Sequence, residues 1–223
     1  MTRPKTVVSW SSGKDSAYAL HEARQSGELD IVGALTTVTS EYSRVSMHGV
    51  RETLLDKQCA ELGLPCHKVR IPTPCSNDVY ERELALALNE LHRQGADAVI
   101  FGDLFLEDVR SYREKQLAEI GMRAVFPLWK RDTHLLAKQM ISAGIVATIT
   151  CADPRALDVS FAGRRFDHRL LEELPAEVDP CGENGEFHTV VTGGPMFRQN
   201  IATRVGDIVE RDGFVFADVD IAA

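Results

Sequence analysis

The sequence predicts an α/β protein with a parallel sheet, and three observations support that prediction. Apolar runs of strand length alternate with segments of helical period through the first 128 residues. The helical segments are long enough to carry the chain back between parallel strands. After Pro180 the chain becomes β-rich, so we expect a smaller α+β region at that end. The fold class is therefore a parallel sheet with flanking helices, followed by a smaller C-terminal α+β domain.

The elements follow one another in a regular order, and we place a domain boundary near Leu128. The predicted domains are 1–128, which would bind a nucleotide, and 129–223, which would select a substrate. The predicted strands are 6–10, 30–38, 66–71, 96–101, 123–128, 145–151, 187–191 and 201–203. The predicted helices are 15–25, 50–62, 77–93, 107–120, 132–143 and 168–174. We expect residues 39–49 to form a polar loop and Asp212-Gly213 to be the turn of a hairpin.

Composition and charge limit the class of function. The formal net charge of −8 argues against a large nucleic-acid footprint, which normally requires a basic face. The longest apolar stretches fall short of the roughly 20 residues that span a bilayer. The five cysteines form no C-x-x-C pair, so we expect reduced thiols and a cytoplasmic protein. The β-rich tail offers sheet edges that need covering, which favours a homodimer.

A compact set of polar residues follows the first predicted strand. Ser11-Ser12-Gly13-Lys14-Asp15-Ser16 joins this strand to the first helix. Backbone N–H groups at such a helix start, together with serine hydroxyls and a lysine, are typical of a phosphate site. The Walker A pattern G-x-x-x-x-G-K-[ST] is absent. The simpler alternative is a serine-rich helix cap at Asp15 or Ser16.

Two further segments carry candidate functional groups. Gly102-Asp103 ends the fourth predicted strand and reaches the same sheet edge as the serine-rich turn. Asp103 suits a ribose hydroxyl, a metal or ammonium, or alternatively an N-cap. The stretch 179–189, D-P-C-G-E-N-G-E-F-H-T, brings together two glutamates, an amide and an imidazole. It suits a substrate pocket, and the alternative is a solvated loop leading into a strand.

These motifs resemble those of a known family. The turn S-S-G-K-D-S resembles the pyrophosphate loop of the N-type ATP pyrophosphatases, usually written S-G-G-x-D-S. Together with 179–189 it resembles the diphthine–ammonia ligase family, a branch of that superfamily. Weaker support comes from 47–49, 61–65 and 127–129. The resemblance implies a HUP-type, Rossmann-like ATP domain and an enzyme that makes AMP and pyrophosphate while amidating a carboxylate with ammonia.

The resemblance also implies roles for individual residues, with ATP, Mg²⁺ and ammonium as ligands. The candidate ATP-binding residues are Ser11, Ser12, Gly13, Lys14, Asp15, Ser16, Gly102 and Asp103. The candidate catalytic residues are Lys14, Asp15, Glu183 and Glu186. The candidate substrate-binding residues are His48, Glu107, Asn184 and His188. We expect Mg²⁺ to be held by phosphate oxygens and Asp15.

One segment departs from the family pattern. Members that act on diphthine usually carry aspartate-tyrosine-glutamine-arginine where this chain has 107–110, E-D-V-R. The acid and the arginine are kept, whereas the aromatic residue and the amide are not. We therefore expect an unidentified carboxylate acceptor, either a small molecule or a modified protein side chain. The alternatives are a tRNA-modifying ATP pyrophosphatase and a non-catalytic ATP or AMP sensor.

Overall fold

A computed structural model describes residues 2–222 and contains two sheets with flanking helices. The strands are β1 (Lys5–Ser9), β2 (Asp30–Thr39), β3 (Arg44–Val45), β4 (Cys66–Ile71), β5 (Ala98–Ile100), β6 (Arg123–Val125), β7 (Val146–Ala152), β8 (Phe187–Gly193), β9 (Thr203–Arg211) and β10 (Phe214–Ile221). The helices are α1 (Lys14–Ser26), α2 (Glu52–Leu62), α3 (Asn77–Arg93), α4 (Glu107–Ala118), α5 (Thr133–Ser142) and α6 (His168–Glu173), and Val159–Phe161 forms a 3₁₀ turn.

The first sheet is parallel apart from one short strand. Its parallel strands run in the order β4-β2-β1-β5-β6, and β3 pairs antiparallel with the end of β2. The chain moves outward from β1 in one direction to β4 and in the other to β6. The reversal makes the space between β1 and β5 the topological switch point, where ligands of such sheets bind. The expected α/β class with a parallel sheet is therefore confirmed.

The second sheet is antiparallel, in the order β8-β7-β10-β9. The expected hairpin forms at Asp212-Gly213, where both residues have positive φ (52° and 79°) as a type I′ turn requires. The strand predicted at 201–203 is wrong in extent, because β9 begins at Thr203 and continues to Arg211. Its mixed exposed sequence lacks the alternation on which the prediction relied.

Local sequence explains where the helices begin and end. Ser76, Asp132 and Asp167 accept backbone hydrogen bonds at the starts of α3, α5 and α6. Left-handed glycines at Gly27 and Gly63 end α1 and α2. The predicted polar loop 39–49 contains β3, whose two residues are too few to give a periodic signal.

The main hydrophobic core extends through both sheets. One cluster includes Val8 and Leu20 from the first part of the chain, and Ile149 and Phe187 from the second. A smaller cluster lies on the other face of the parallel sheet, beneath α3 and around Val99. The antiparallel sheet is thereby fixed against the carboxyl-end edge of β1. The division at residue 128 remains a prediction.

Candidate active site

The turn after β1 lies at the switch point of the parallel sheet and is fixed by distant parts of the chain. Ser12 has a positive φ of 68°, and its carbonyl accepts hydrogen bonds from Val191 N at 2.8 Å and Gln58 Nε2 at 3.2 Å. The Ser11 and Ser16 hydroxyls lie 3.1 Å apart and line a cavity above the turn. These contacts hold two hydroxyl groups beside the start of α1.

Helix α1 is not capped by a side chain of the turn itself, so the alternative interpretation of the turn as a serine-rich cap is wrong. Its N-cap residue is Gly13, and Lys14 N in the first turn donates at 3.1 Å to Thr189 Oγ1 on β8. A methyl group placed on Gly102 would lie 2.7 Å from Ser16 N, so the end of β5 touches this helix start. The positive end of the helix dipole therefore adjoins the cavity.

Lys14 does not present its ammonium to this cavity. Its side chain is 1% exposed, and Nζ donates hydrogen bonds to the Cys181 carbonyl and, at 3.0 Å, to Asp15 Oδ2. The rings of Phe166 and Phe187 lie 5.3 and 5.1 Å from the same nitrogen. Burial is the largest single influence and disfavours its charge, but the negative groups around it, Asp15 foremost with Cys181 and Asp179, together leave the pKa of Lys14 raised. The expected contact of Lys14 with phosphate is replaced by a link to the 179–189 segment.

Glu183 lines the cavity as a half-buried carboxyl group. Its Oε1 accepts a hydrogen bond from Leu104 N at 2.7 Å, which fixes it just beyond the end of β5. Burial raises the pKa of Glu183 to about 7, the Leu104 N–H opposes that shift, and the nearby Asp15 adds to it. A carboxyl group that titrates near neutral pH is suited to accept a proton.

Asp103 and Arg113 form an ion pair at the wall of the cavity. Arg113 Nε lies 3.0 Å from Asp103 Oδ2, and its guanidinium also packs on the ring of Phe101. The alternative role of Asp103 as an N-cap is wrong, because α4 begins at Glu107 with Leu106 as its N-cap residue. Arg113 thus brings a positive charge to the site, held by both a carboxylate and an aromatic ring.

Two histidines from distant parts of the chain pack against each other, with their rings tilted by 40°, where the site is lined from both sides. The rings of His48 and His188 lie 4.7 Å apart, and His48 Nδ1 lies 2.9 Å from the Thr189 carbonyl oxygen. Burial lowers the pKa of His48 to about 4 and that of His188 to about 3. Both rings are therefore neutral at physiological pH. A methyl group on Gly13 would lie 2.7 Å from His48, so this glycine admits the ring.

Three of the predicted residues lie away from the cavity. Glu186 is buried and accepts hydrogen bonds from Asp179 N and Asn184 Nδ2, which shape the loop. Asn184 is thus part of the loop's own framework. Glu107 is exposed and forms an ion pair with Lys130 at 2.7 Å. The structure therefore brings Glu183, His48 and His188 to the site, whereas Glu186, Asn184 and Glu107 have structural or surface contacts.

Two adjoining cavities make up the site. The larger measures about 400 Å³ and lies between the ends of β1, β2 and β5 and helices α3 and α4. The smaller measures about 270 Å³ and lies over the start of α1. The residues that line both are Ser9, Ser11, Phe101, Arg113, His48 and His188. A long ligand can occupy both cavities and pass the histidine pair between them.

Sequence reasoning missed Ser9, Arg113 and Thr189. Ser9 is the last residue of β1 and lines both cavities. Thr189 Oγ1 accepts a hydrogen bond from Lys14 N at 3.1 Å and so joins β8 to the turn. Arg113 lies on α4, which has three arginines and lysines, and only its position on the helix face distinguishes it. Nothing in the local sequence signals Arg113 or Thr189.

The site offers one unsatisfied carboxylate oxygen for a cation. Asp15 Oδ1 is buried and has no hydrogen-bond partner among residues 2–222. Over the same range, no group of three or more histidine, cysteine or acidic side chains has the geometry of a metal site. A protein-only metal centre is thus not present in the described chain. None of its helices is both long and apolar enough to cross a membrane.

The fold and the site define a nucleotide-binding α/β protein of the PP-loop, HUP-type class, with a phosphate-type turn at the switch point. The family model of the diphthamide synthase N-terminal domain matches residues 4–124 of this chain, and the family model of the C-terminal domain matches residues 132–217. The chain belongs to the diphthamide synthase family. The resemblance expected from its motifs is therefore confirmed, and so is the carbon–nitrogen ligase class.

Three relatives of the chain are each named diphthine–ammonia ligase. The chain is similar to the diphthine–ammonia ligase of Danio rerio, at 23% identity over 94% of this chain and 90% of the relative. It is similar to the Homo sapiens diphthine–ammonia ligase at 23% identity, over 94% and 86%. For the Saccharomyces cerevisiae enzyme of that name, 23% identity extends over 95% of this chain but 36% of the relative. ATP is the co-substrate that this ligase family implies.

Proposed function

We propose that the chain is an ATP-dependent, AMP-forming ligase that adenylates a carboxylate and converts it to an amide with ammonia. The observation that supports it most directly is Glu183, a carboxyl group with a pKa of about 7 facing the same cavity as the N-terminal end of α1. A phosphate site and a base for ammonium then share one space. The diphthine–ammonia ligase relatives have the same type of activity in their name.

The two cavities suggest how ATP lies in the site. The larger cavity, with Leu35, Val99 and Phe101, suits the adenosine, and the smaller one suits the β- and γ-phosphates. The hydroxyls of Ser11 and Ser16 and the α1 dipole would receive the phosphates. The α-phosphate would then lie at the histidine pair, where the cavities meet. Arg113 would supply the positive charge that we first expected from Lys14.

Magnesium fits this arrangement as part of the substrate. Mg²⁺ is usually held by one or two carboxylates together with phosphate oxygens and water. The unsatisfied Asp15 Oδ1 is a suitable ligand of this kind. When bound, the ion would neutralise charge on the phosphates during transfer.

The reaction then proceeds in two balanced steps. An oxygen of the acceptor carboxylate attacks the α-phosphorus and displaces pyrophosphate, which gives an acyl-adenylate. Ammonia attacks the acyl carbon, AMP leaves, and the amide remains. The nucleophile must be neutral, so Glu183 as carboxylate removes a proton from ammonium. His48 and His188 are too weakly basic for that role, and their neutral rings would orient the ammonia by accepting hydrogen bonds from its N–H groups.

Cellular setting and assembly are part of the same proposal. All five cysteines are free thiols in the structure, which fits the reducing cytoplasm. β9 forms one edge of the antiparallel sheet and is exposed along most of its length, which is compatible with a homodimer.

The proposal is tested by identifying the products that are formed from ATP. Purified protein with MgATP, ammonium and a panel of carboxylic acids should release AMP and pyrophosphate in an acid-dependent manner. Arg113→Ala should raise the KM for ATP by roughly 10- to 100-fold, because it removes a charged contact. Arg110→Ala is the matched control, since Arg110 stacks on Trp129 and pairs with Glu114. Release of ADP and phosphate, or equal effects of the two substitutions, would contradict the proposal.

A further inference from the structure

A third cavity adjoins the site and has no role in the reaction described so far. It measures about 280 Å³ and lies between the segment 42–49 and the hairpin of β9 and β10. Most of its walls are apolar, and they include Met47, Cys151, Phe216 and Val209. Such a cavity, largely apolar with a few polar groups at its rim, is typical of a small-molecule site.

The register of the antiparallel sheet connects this cavity to the histidine pair. His188 pairs with Cys151, Cys151 with Phe216, and Phe216 with Val209. Directly paired residues of neighbouring strands point to the same face of a sheet. One face therefore carries His188 at the proposed α-phosphate position and continues into the third cavity. Since strands lie about 4.8 Å apart, Phe216 is roughly 10 Å from His188 along that face.

The segment opposite the sheet forms a wall of both cavities. Val45, Ser46 and Met47 line both the large ATP-side cavity and the third cavity. The next residue, His48, faces the ATP side, and Gly49 faces the third cavity. A methyl group on Gly49 would lie 3.0 Å from the Phe216 ring, so this wall rests directly on the sheet.

The wall is also fixed in position by charge. Arg51 donates to Asp218 on β10 through Nε at 3.0 Å, and Arg44 Nη2 lies 2.9 Å from the same carboxylate. These ion pairs bracket the segment 44–51 and hold it against the hairpin. The cavity is therefore built by fixed elements, and its apolar floor begins one strand away from the reaction centre.

We infer that this third cavity binds the acceptor, and that the acceptor is a carboxylic acid with an apolar body about 10 Å long. Its carboxylate reaches the α-phosphate at His188, and its apolar body lies over Cys151, Phe216 and Val209. The inference rests on the proposed function for the position of the reacting carboxylate. The apolar walls exclude a short, fully hydrated acid as the preferred substrate, because such an acid leaves them uncovered.

Binding of a defined probe tests the cavity without any turnover. 4-Phenylbutyrate has a carboxylate and an apolar body of suitable length, and acetate is its counterpart without that body. Titration calorimetry should show that 4-phenylbutyrate binds at least roughly tenfold more tightly than acetate, with a negative heat-capacity change. Equal affinity for the two acids would overturn the inference.

Substitutions at two positions of β9 test whether 4-phenylbutyrate binds in the third cavity. Val209 is 43% exposed and faces the cavity, so Val209→Trp should fill it and weaken 4-phenylbutyrate binding by roughly tenfold or more. Ile208→Trp is the matched control, because Ile208 is similarly exposed, at 52%, but pairs with Ala217 and points to the other face. Val209→Ala, which leaves the backbone unstrained, should weaken binding by roughly fourfold. Unchanged binding in both Val209 variants would overturn the inference.

Measurements of AMP formation distinguish a failure of this inference from a failure of the proposed function. Tight binding of the probe that is lost in Val209→Trp, without AMP formation from any acid, contradicts the ligase but supports the cavity. AMP formation from acetate that is as efficient as from 4-phenylbutyrate, and unaffected by Val209→Trp, supports the ligase and overturns the cavity's role. AMP formation that favours 4-phenylbutyrate and falls in Val209→Trp supports both.

Discussion

At the scale of single residues, Glu183 has the property that the chemistry most requires. Its carboxyl group titrates at about 7, so it is a carboxylate in part of the molecules at neutral pH. A proton acceptor near the working pH is the most effective general base. Ammonia is present mainly as charged ammonium at this pH. Glu183 must therefore remove a proton before the nitrogen can attack.

Glu183→Gln should lower the rate of amide formation by roughly 10²- to 10⁴-fold. Glutamine retains an oxygen that can accept from Leu104 N, so the local fold should be kept. In the parent protein the rate should rise with pH through about 7 as Glu183 loses its proton and then level off, whereas in the variant it should keep rising with the free ammonia in solution up to pH 8.5. Rates of AMP release between pH 5.5 and 8.5 provide the measurement.

Hydroxylamine supplies the control for that substitution. It is largely neutral near pH 7 and needs no base, so Glu183→Gln should form the hydroxamate at nearly the parent rate. An equal loss with ammonium and hydroxylamine would instead assign Glu183 a purely structural role.

Lys14 illustrates a charged residue whose importance lies in packing. Lys14→Met keeps much of the volume but removes the donor to the Cys181 carbonyl, leaving that buried oxygen without a partner. Loss of such a partner costs about 1–3 kcal/mol, so the free energy of unfolding in urea should fall by that amount. Lys130→Met, at an exposed ion pair, should change it by less than about 1 kcal/mol. A stable Lys14→Met variant with a strongly raised KM for ATP would show that Lys14 binds phosphate after all.

At the scale of elements, the contact between the end of β5 and the start of α1 fixes the phosphate site. A methyl group at Gly102 would lie 2.7 Å from both the Asp15 carbonyl carbon and Ser16 N. These are backbone atoms of a helix, and they move only together with it. The two elements are therefore as close as their backbones allow.

Gly102→Ala should destabilise the protein by about 1–3 kcal/mol and weaken ATP binding, since α1 must shift away from the site. Thermal unfolding with and without ATP provides both quantities. Gly206→Ala is the matched control, because its methyl group would meet nothing closer than 3.6 Å and should leave both quantities unchanged. If Gly102→Ala binds ATP as tightly as the parent, the helix start does not hold the phosphates.

The elements also show how far sequence reasoning extends. Strand and helix order, and the meeting of the serine-rich turn with Gly102-Asp103 at one sheet edge, follow from periodicity and from the geometry of parallel sheets. The direction of each side chain does not. Lys14 turns inward because two phenylalanines and a carbonyl more than 150 residues away receive it. Glu183 and Glu186 share one short loop, yet only tertiary packing makes one face the cavity and the other face the loop.

At the scale of the whole molecule, histidines within the site link function to stability. His48 and His188 stay neutral in the folded chain down to about pH 4 and pH 3, whereas in the unfolded chain they take up protons below about pH 6.5. The unfolded state then binds more protons, so stability falls as the pH falls from about 6.5. A site that needs neutral imidazoles thus makes the fold sensitive to mild acid.

Carboxylates cause a second decrease in the free energy of unfolding at lower pH. Hydrogen bonds from Arg70 and Lys68 lower the pKa of Glu52 to about 2. A depressed carboxyl pKa contributes stability that is present above its ordinary value near 4.5 and is lost as the pH falls towards 2. The effects of the histidines and of Glu52 on stability occur in different pH ranges, so they can be separated by experiment.

We therefore expect each imidazole to decrease the free energy of unfolding in urea by up to about 1.4 kcal/mol per pH unit between pH 6.5 and 4.5, and protonation of Glu183 in the fold to offset about as much as one ring contributes. His188→Gln should reduce the slope of this pH dependence by one ring's contribution, because glutamine does not titrate. Glu52→Gln, the matched control, should leave that slope intact and reduce only the loss below about pH 4.5. Equal pH dependences of the parent and of His188→Gln between pH 6.5 and 4.5 would mean that His188 is protonated in the fold. A cationic ring would then donate to the α-phosphate oxygens, in place of the neutral ring of the proposed reaction.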